Sequence, residues 1–429
     1  MIYLFFQSIG DGSPKLNIAF TGTYVRFEVA ESSGRNFRAV TSDGQTRVFN
    51  VSADINFPAV APRSIALYTD YPESVIDLRI YQGDVTGTGA VNGVNTMDVS
   101  VFPNLINLLF SGASFNKLIG AAAGQTYFGL NAQRGNLDLS EYTAVALYMS
   151  GCFISSLNWP LPEKLRILRM SNNTLGGDII IPAYPVLEQL DLSYQHGGGA
   201  TNTVVDVSGC PQLTILDIGF GKTRSLLYHP NIVNTLVNIG LQRCYFSARP
   251  ELGGNFAALL NLLQTAKALT NVDFDRSPFS ESEINQIVNA FYVTRNSRPA
   301  ARISLTGQDD NYYYPSLEYI HSFGCNAPVI SAATVSQIAA LKALGWSIAF
   351  HWPYLFFESV SATSTRMTYR GTADIDIWAV GSTVNLPAGL NDIPAGNYTI
   401  TAGAGKVWYI NAPFTTSNVD RNIAIVRPG

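Results

Sequence analysis

Charged residues are scarce in this sequence. Asp, Glu, Lys and Arg make up 14% of the 429 residues, and the formal net charge is −4. Proteins that bind nucleic acid neutralise phosphates with clustered Lys and Arg, and the sequence has no such cluster, so we expect no nucleic-acid partner. Hydrophobic residues reach 47%, which excludes a disordered chain and, with abundant Tyr, Phe, Gly, Asn, Ser and Thr, favours a β-rich protein.

Cysteine is also rare. Cys152, Cys210, Cys244 and Cys325 are far apart and form no C-x-x-C pair. Zinc sites and small disulfide frameworks need closer spacing. We therefore expect buried free thiols, no bound metal and no cofactor.

Long hydrophobic runs are missing too. No stretch of about 18 apolar residues occurs, so we expect no membrane-spanning helix. The apolar run at residues 2–6 is short and no basic residue precedes it, so we also expect no secretory signal.

Catalytic motifs are likewise absent. The chain has no G-x-S-x-G motif, and its four histidines lie in unrelated contexts. The segment GFGKTRS, residues 219–225, resembles a phosphate-binding loop, but Leu216 takes the place of the first glycine that such a loop needs. We therefore predict that the protein is not an enzyme.

One short pattern recurs along the middle of the chain. In LRILRMSNNTL, residues 165–175, apolar residues follow the spacing L-x-x-L-x-L, and Asn173 follows the last of them by three places. Alternation with period two predicts a strand whose apolar residues point inward. Further copies begin at Val75, Leu105, Leu187, Leu213, Leu236, Leu269 and Ala300. A copy between Tyr142 and Met149 fits two phases, and its phase stays open.

The mean step between copies is about 28 residues, within the range of about 20–29 residues of leucine-rich repeats. The chain therefore resembles the leucine-rich repeat family over residues 73–351. This resemblance implies an α/β leucine-rich-repeat solenoid with one short parallel strand per repeat and a ladder of Asn side chains at the following turn. Asn173 fits the ladder and Cys244 is a variant of it. Four equivalent residues do not match: Gln195, Gly221, Ser277 and Gln308.

The later repeats contain helical segments. Residues 256–269 have apolar residues at helical spacing. Ser280 with Glu283, and Thr334 with Gln337, fit the capping box that begins a helix. We therefore expect strand-plus-helix repeats late in the chain, with Gly345 as a helix C-cap and GWSIAF as a closing strand, and strand-plus-loop repeats before them.

Short alternating strands separated by turn residues flank the repeats on both sides. We predict an N-terminal β domain at residues 1–72, the leucine-rich-repeat solenoid at 73–351 and a C-terminal β domain at 352–429. A solenoid needs its ends covered, so both all-β domains are expected to cap it. Attachment to an assembly or to a target is the alternative role.

Binding residues are expected on the solenoid face, because stacked repeats create an extended concave surface. The residues between the inward leucines form this face. The candidates are Arg166, Arg169, Glu188, Gln189, Asp191 and Asp217. A second candidate is the aromatic cluster Tyr312, Tyr313 and Tyr314, since tyrosine combines an apolar ring with a polar hydroxyl.

Leucine-rich repeat proteins mostly bind other molecules, so the resemblance implies a non-enzymatic binding or structural protein. The low-charge β composition is typical of extracellular or virion proteins, and a bacteriophage particle, released by lysis, needs no export signal. We therefore predict a phage virion-surface or fibre protein for host recognition. Its expected partners are other virion or surface proteins and a host receptor or glycan. A homo-oligomer stays open.

Three alternatives remain. A bacterial cell-surface adhesin, similar to internalin-like proteins, would place the chain at the cell surface or outside the cell. An intracellular effector or scaffold would agree with free cysteines. A polysaccharide-degrading enzyme is the last alternative, which sugar release from host capsule would support.

Overall fold

A computed structural model forms two compact units. The first contains residues 1–217 and 227–232, and the second contains residues 218–226 and 233–429. The residues that the structure describes are 16–31, 37–50, 52–82, 94–111, 115–129, 135–195, 203–221, 223–248, 253–275, 277, 279–305, 330–350, 354–361, 363–369, 380–386, 396–404, 407–412, 419–422 and 426–427.

The first unit is built from β-strands. They are β1 (Leu16–Glu31), β2 (Phe37–Thr41), β3 (Thr46–Phe49), β4 (Ser52–Tyr68), β5 (Val75–Gln82), β6 (Val94–Asp98), β7 (Asn107–Ser111), β8 (Phe115–Phe128), β9 (Gly135–Tyr148), β10 (Ile154–Asn158), β11 (Ile167–Arg169), β12 (Ile179–Ile180), β13 (Gln189–Asp191), β14 (Thr203–Val207) and β15 (Ile215–Asp217). A short 3-10 turn at Pro72–Ser74 precedes β5. Strand β16 (Thr223–Tyr228) and the one-turn helix α1 (Ile232–Thr235) each contain residues of both units.

The N-terminal strands pair antiparallel. Strand β1 pairs with β4 and with β5, and β2 lies between β3 and β4. Alternate residues of β1, namely Val25, Phe27 and Val29, are buried, as the period-two side-chain geometry of a strand requires. The expected all-β character of this flank is confirmed, whereas the domain boundaries stay predictions.

Parallel stacking begins at β5. Strands β5, β7, β8, β9, β11, β13 and β15 pair in that order, and every pair is parallel. The register places Leu168 between Leu147 and Leu190, and all three are fully buried. Burying a leucine side chain stabilises a fold by roughly 1.5–3 kcal/mol, so this column of leucines forms the core of the first unit. The chain is thus a repeat protein built as a parallel β-solenoid.

The prediction of an α/β leucine-rich-repeat solenoid is wrong. Between β9 and β15 the described connections contain short strands and turns and no helix, and only four α-helices occur in all the described ranges. Parallel pairs β9–β10 and β12–β14 form there instead. The L-x-x-L-x-L spacing determines one strand and its inward residues. It does not determine the structure of the segment that connects this strand to the next. Prolines at 160, 162, 182 and 185 lie in these connecting segments and disfavour helix.

The second unit begins its own parallel series and ends in an antiparallel sheet. Its elements are β17 (Asn238–Gly240), α2 (Phe256–Thr265), β18 (Asn271–Asp273), α3 (Glu281–Thr294), β19 (Arg302–Leu305), β20 (Ile330–Ser331), α4 (Ala332–Ala343), β21 (Ser347–Phe350), β22 (Tyr354–Ser361), β23 (Ser364–Tyr369), β24 (Thr383–Leu386), β25 (Gly396–Ala404), β26 (Val407–Ile410), β27 (Val419–Asn422) and β28 (Val426–Arg427). Strands β17, β18, β19 and β21 pair in parallel.

Helices α2, α3 and α4 precede β18, β19 and β21, where helices were expected. The Ser280–Glu283 capping box of α3 is confirmed. The box expected at Thr334 is wrong, because Ser331 is the N-cap of α4 and its hydroxyl accepts from the Thr334 N–H. Gly345 follows α4 with φ +84°, a conformation suited to a glycine after a helix, and the closing strand β21 is confirmed.

The C-terminal strands form an antiparallel sheet in the order β24-β25-β26-β23-β22-β27, while β20 and β28 pair in parallel. Buried Trp408 and Ile410 of β26 and Met367 of β23 pack in its interior. The expected all-β character of this flank is also confirmed. Within the described ranges, no helix has both the length and the apolar character that crossing a membrane requires.

A ladder of side chains follows the parallel strands in both units. In the first unit, Cys152, Asn173 and Gln195 donate to the carbonyls of Phe128, Met149 and Met170, each one turn earlier. In the second unit, Cys244 and Ser277 donate to the carbonyls of Ile218 and Leu241. Gln195 and Ser277, which depart from the Asn pattern, therefore make the same kind of hydrogen bond as Asn173. Gln308 lies outside the described residues.

The residue before five of these turn positions has left-handed backbone, and the residue before Ser277 lies outside the described residues. In the first unit these residues are Gly151 (φ +69°), Asn172 (+56°) and Tyr194 (+57°), and in the second unit they are Phe220 (+60°) and Arg243 (+55°). This conformation turns the chain sharply after each strand. It suits glycine and asparagine, whereas bulky side chains adopt it rarely.

Candidate functional site

The outward face of the first unit brings equivalent positions of successive strands into register. Tyr127 of β8 pairs with Tyr148, Tyr148 with Arg169, Arg169 with Asp191, and Asp191 with Asp217. Neighbouring parallel strands lie about 4.8 Å apart. These five residues therefore form one row, which we call the face row.

Two tyrosines form an aromatic pair in the face row. The ring centroids of Tyr127 and Tyr148 lie 4.4 Å apart, and the ring planes differ by 8°. Tyr127 remains 42% exposed, although a tyrosine in a core would be covered. Each ring covers one face of the other, so a ligand can reach the pair through the ring edges.

Arg169 extends the aromatic pair with a positive charge. Its guanidinium carbon lies 5.7 Å from the centroid of the Tyr148 ring, a cation–π distance. Its Nη2 donates a 3.2 Å hydrogen bond to Oε1 of Gln189. Among the described residues, no carboxylate oxygen lies within 4.0 Å of this guanidinium. Arg169 is thus an exposed cation that forms no ion pair with a described carboxylate, although Asp191 is its neighbour on the next strand.

Arg166, which immediately precedes β11, has a different environment. Its Nε donates to Oε1 of Glu188 at 3.0 Å, and its Nη2 also contacts this oxygen. Both side chains are well exposed, so the ion pair contributes about 0–1 kcal/mol to stability. The pair neutralises Arg166 and Glu188, whereas Arg169 forms no ion pair among the described residues.

At the acidic end of the face row, one carboxylate already accepts hydrogen bonds from the protein itself. Asp191 accepts hydrogen bonds from the Ser193 N–H (2.9 Å) and the Ser193 hydroxyl (2.7 Å) through a single oxygen, Oδ1. Asp217 is paired with Asp191 by strand register, and its carbonyl accepts from Leu192. Arg169, Gln189, Asp191 and Asp217 flank the buried Leu168, Leu190 and Leu216 and therefore share the outward face, whereas Arg166 and Glu188 immediately precede β11 and β13. The predicted cluster at Tyr312, Tyr313 and Tyr314 lies outside the described residues.

Tyr127 and Tyr148 were not among the predicted site residues. The Tyr142–Met149 copy was ambiguous in phase, and the structure resolves it. Leu147 and Met149 take the places of Leu168 and Met170, which puts Tyr148 outward beside Arg169. The turn that contains Tyr127 does not match the leucine spacing, because Thr126 occupies the position of a leucine. Thr126 pairs with Leu108 of the preceding strand. Thr126 is buried and hydrogen-bonded to the Tyr142 hydroxyl.

Asp273 and Asp275 of the second unit are two carboxylates that accept hydrogen bonds from other protein groups. Oδ1 of Asp273 accepts from the Asp275 N–H (2.9 Å), and its Oδ2 accepts from Gln242 (2.8 Å). Ser304 donates to Asp275. Burial raises the pKa of Asp273 above its ordinary value. Within the part of the chain that the structure describes, no group of three or more His, Cys, Asp or Glu residues is placed to hold a metal ion.

The chain matches no protein-family model and has no significant sequence match among curated proteins.

Proposed function

We propose that this chain is a non-enzymatic binding protein and that its ligand contacts the face row of the first unit. The observation that carries the proposal is the stack of Tyr127, Tyr148 and Arg169 on adjacent strands. This stack combines the exposed ring of Tyr127 and the half-buried ring of Tyr148 with an arginine that forms no ion pair among the described residues, and both residue types are enriched where proteins bind partners.

The backbone beneath the face row supports this role. Strands β8, β9 and β11 are fixed by parallel pairing, and the buried Leu147 and Leu168 alternate with the outward residues. A ligand that binds here orders few additional groups, so little of the binding free energy is lost to conformational entropy.

We further propose that the protein is a surface component of a bacteriophage particle and recognises a receptor or glycan on the host cell. The low content of charged residues and the β-rich architecture support this role. The all-β flanks provide surfaces through which the chain can join other virion proteins.

Binding of labelled full-length protein to a panel of bacterial strains tests the recognition role. We expect saturable binding to some strains, and at least about tenfold weaker binding for Tyr148→Ala and for Arg169→Gln. Arg166→Gln is the matched control, because it removes an exposed arginine of the same segment whose charge Glu188 already neutralises. Its affinity should stay within about twofold. Equal losses for both arginine variants would overturn the assignment of the face row.

Two further measurements complete the test. Replacement of Tyr312, Tyr313 and Tyr314 by alanine shows whether the second predicted cluster contributes to the same binding. Mass spectrometry of purified particles of the phage that encodes the chain tests the location, and particles that lack the chain would refute it.

A further inference from the structure

Helices α3 and α4 of the second unit border a groove of about 470 Å³. Ser282, Asn285, Gln286 and Asn289 line it from α3, and Thr334 and Gln337 line it from α4. All six side chains are polar and uncharged. The described lining therefore offers hydrogen-bond donors and acceptors and contains no charged side chain.

Hydrogen bonds within the protein hold the amide groups of this groove in fixed orientations. Oδ1 of Asn285 accepts from the Ser331 N–H (3.3 Å) and from the Thr334 hydroxyl. Oδ1 of Asn289 accepts from Nε2 of Gln337 at 3.0 Å. Each bond joins α3 to the segment of α4, so these amides cannot rotate without losing a contact.

The other end of each amide has no such partner. Within the described residues, Nδ2 of Asn285, Nδ2 of Asn289 and Oε1 of Gln337 make no hydrogen bond to protein. Asn285 and Asn289 are one helical turn apart, so their Cβ atoms are roughly 5–6 Å apart, comparable to the width of a hexose ring. The groove thus presents two oriented donors and one oriented acceptor.

From this geometry we propose that the α3–α4 groove binds a neutral saccharide. Each saccharide hydroxyl both donates and accepts a hydrogen bond, which matches a lining that contains amide donors and acceptors side by side. An ion bound here would meet no charged side chain among the described lining residues, and an apolar ligand would cover polar groups without replacing their hydrogen bonds. The fixed amides reduce the entropy that binding costs.

This site is separate from the face row and does not depend on the proposed host-recognition function. Titration calorimetry on the full-length chain would use neutral oligomers of glucose, galactose, mannose and N-acetylglucosamine as probes, together with oligogalacturonate as an acidic probe. We expect a measurable Kd for at least one neutral oligomer and at least tenfold weaker binding of the acidic one.

Two variants locate the binding. Asn289→Ala and Gln337→Ala remove groove amides whose loss leaves the N-cap of α4 intact, and each should weaken saccharide binding by about tenfold or more. Gln264→Ala removes an exposed glutamine of α2 outside the groove and should change the Kd by less than about twofold. Tyr148→Ala should also leave it unchanged. Circular dichroism confirms that each variant is folded.

The outcomes that would overturn the proposal are distinct. They are binding to none of the neutral oligomers, preference for oligogalacturonate, or equal affinity of the wild-type chain and both groove variants. Loss of binding in Tyr148→Ala would instead assign the saccharide to the face row.

Discussion

The side-chain amide of Asn173 donates a 2.7 Å hydrogen bond to the carbonyl oxygen of Met149, one turn earlier in the solenoid. Its Oδ1 accepts from the N–H groups of Cys152 (3.2 Å) and Ile154 (3.0 Å), and Nδ2 also donates to the Met170 carbonyl. One buried side chain therefore satisfies backbone groups on two successive turns. These groups have no partner in a neighbouring strand, because the chain bends after each strand.

Replacing Asn173 by alanine should destabilise the first unit strongly. The substitution leaves two N–H groups and two carbonyls without this partner in a site that is fully buried, and unsatisfied buried groups cost about 1–3 kcal/mol each. Partial relaxation of the turn lowers the sum, so we expect a loss of about 3–5 kcal/mol in the free energy of unfolding. Urea denaturation followed by circular dichroism measures it.

The neighbouring Asn172 is the control for that experiment. It is exposed and has φ +56°, a conformation that glycine adopts without steric cost. Asn172→Gly should change the free energy of unfolding by less than about 1 kcal/mol. Similar losses for the two asparagines would contradict the role assigned to the Asn173 amide.

Tyr194 tests the backbone strain at the same place in the next turn. Its side chain is 43% exposed and its φ is +57°. A β-branched residue is especially disfavoured in this conformation, so Tyr194→Val should lower the free energy of unfolding by about 1–2 kcal/mol relative to Tyr194→Gly. Thermal and urea denaturation of the two variants provide the comparison. Equal stabilities would show that the turn relaxes freely.

Glu283 should be essential to the start of α3. Its buried carboxylate accepts from the Ser247 hydroxyl (2.8 Å), the Ala248 N–H (2.6 Å) and both the N–H and hydroxyl of Ser280 (2.8 Å each). Glu283→Ala should cost about 3 kcal/mol or more, and Glu283→Gln should cost less because the amide oxygen retains part of this set. Gln286→Ala, an exposed change one turn later, should cost about 0.5 kcal/mol or less. Equal effects of Glu283→Ala and Gln286→Ala in urea denaturation would refute this role.

The described cysteines should resist alkylation in the folded chain. Cys152, Cys210 and Cys244 are buried free thiols, and burial raises the pKa of Cys152 from 9.0 to about 12 and that of Cys210 from 9.0 to about 11. Because the thiolate is the reactive form, iodoacetamide at pH 8 should leave these cysteines unmodified until the chain is unfolded in urea. Peptide mass spectrometry maps the products, and native alkylation of Cys152 would contradict the burial.

The same pKa shift predicts a stability change with pH. The Cys152 thiol ionises more readily in the unfolded chain than in the folded one, so deprotonation favours unfolding. Its contribution to stability is complete below about pH 9 and is lost as the pH rises toward about 12. The free energy of unfolding measured above pH 9 should fall less steeply for Cys152→Ala than for the wild-type chain.

Local chemistry made part of the fold predictable. The inward places of Leu168 and Met170 follow from period two alone, and α3 follows from the Ser280–Glu283 capping box, since both depend on residues that are close in sequence. The segments that connect the early strands were not predictable in this way. Their conformation depends on prolines and on packing against the neighbouring turn.

Three of the five residues of the face row were predictable. Arg169, Asp191 and Asp217 were found because their turns keep the leucine spacing. Tyr127 and Tyr148 become neighbours only through the pairing of β8 with β9, a register that no local pattern of either strand determines. Rows across a sheet depend on long-range register, whereas positions along a strand depend on local alternation.

The ladder also constrains how the length of this chain can change. Because Cys152, Asn173 and Gln195 each bind the carbonyl one turn earlier, an insertion or deletion of a whole turn again matches every donor with an acceptor of the same kind. A change of half a turn would place apolar side chains opposite those carbonyls. The solenoid therefore tolerates the insertion or deletion of a whole turn but not of part of a turn. This holds although the ladder residues themselves differ from turn to turn.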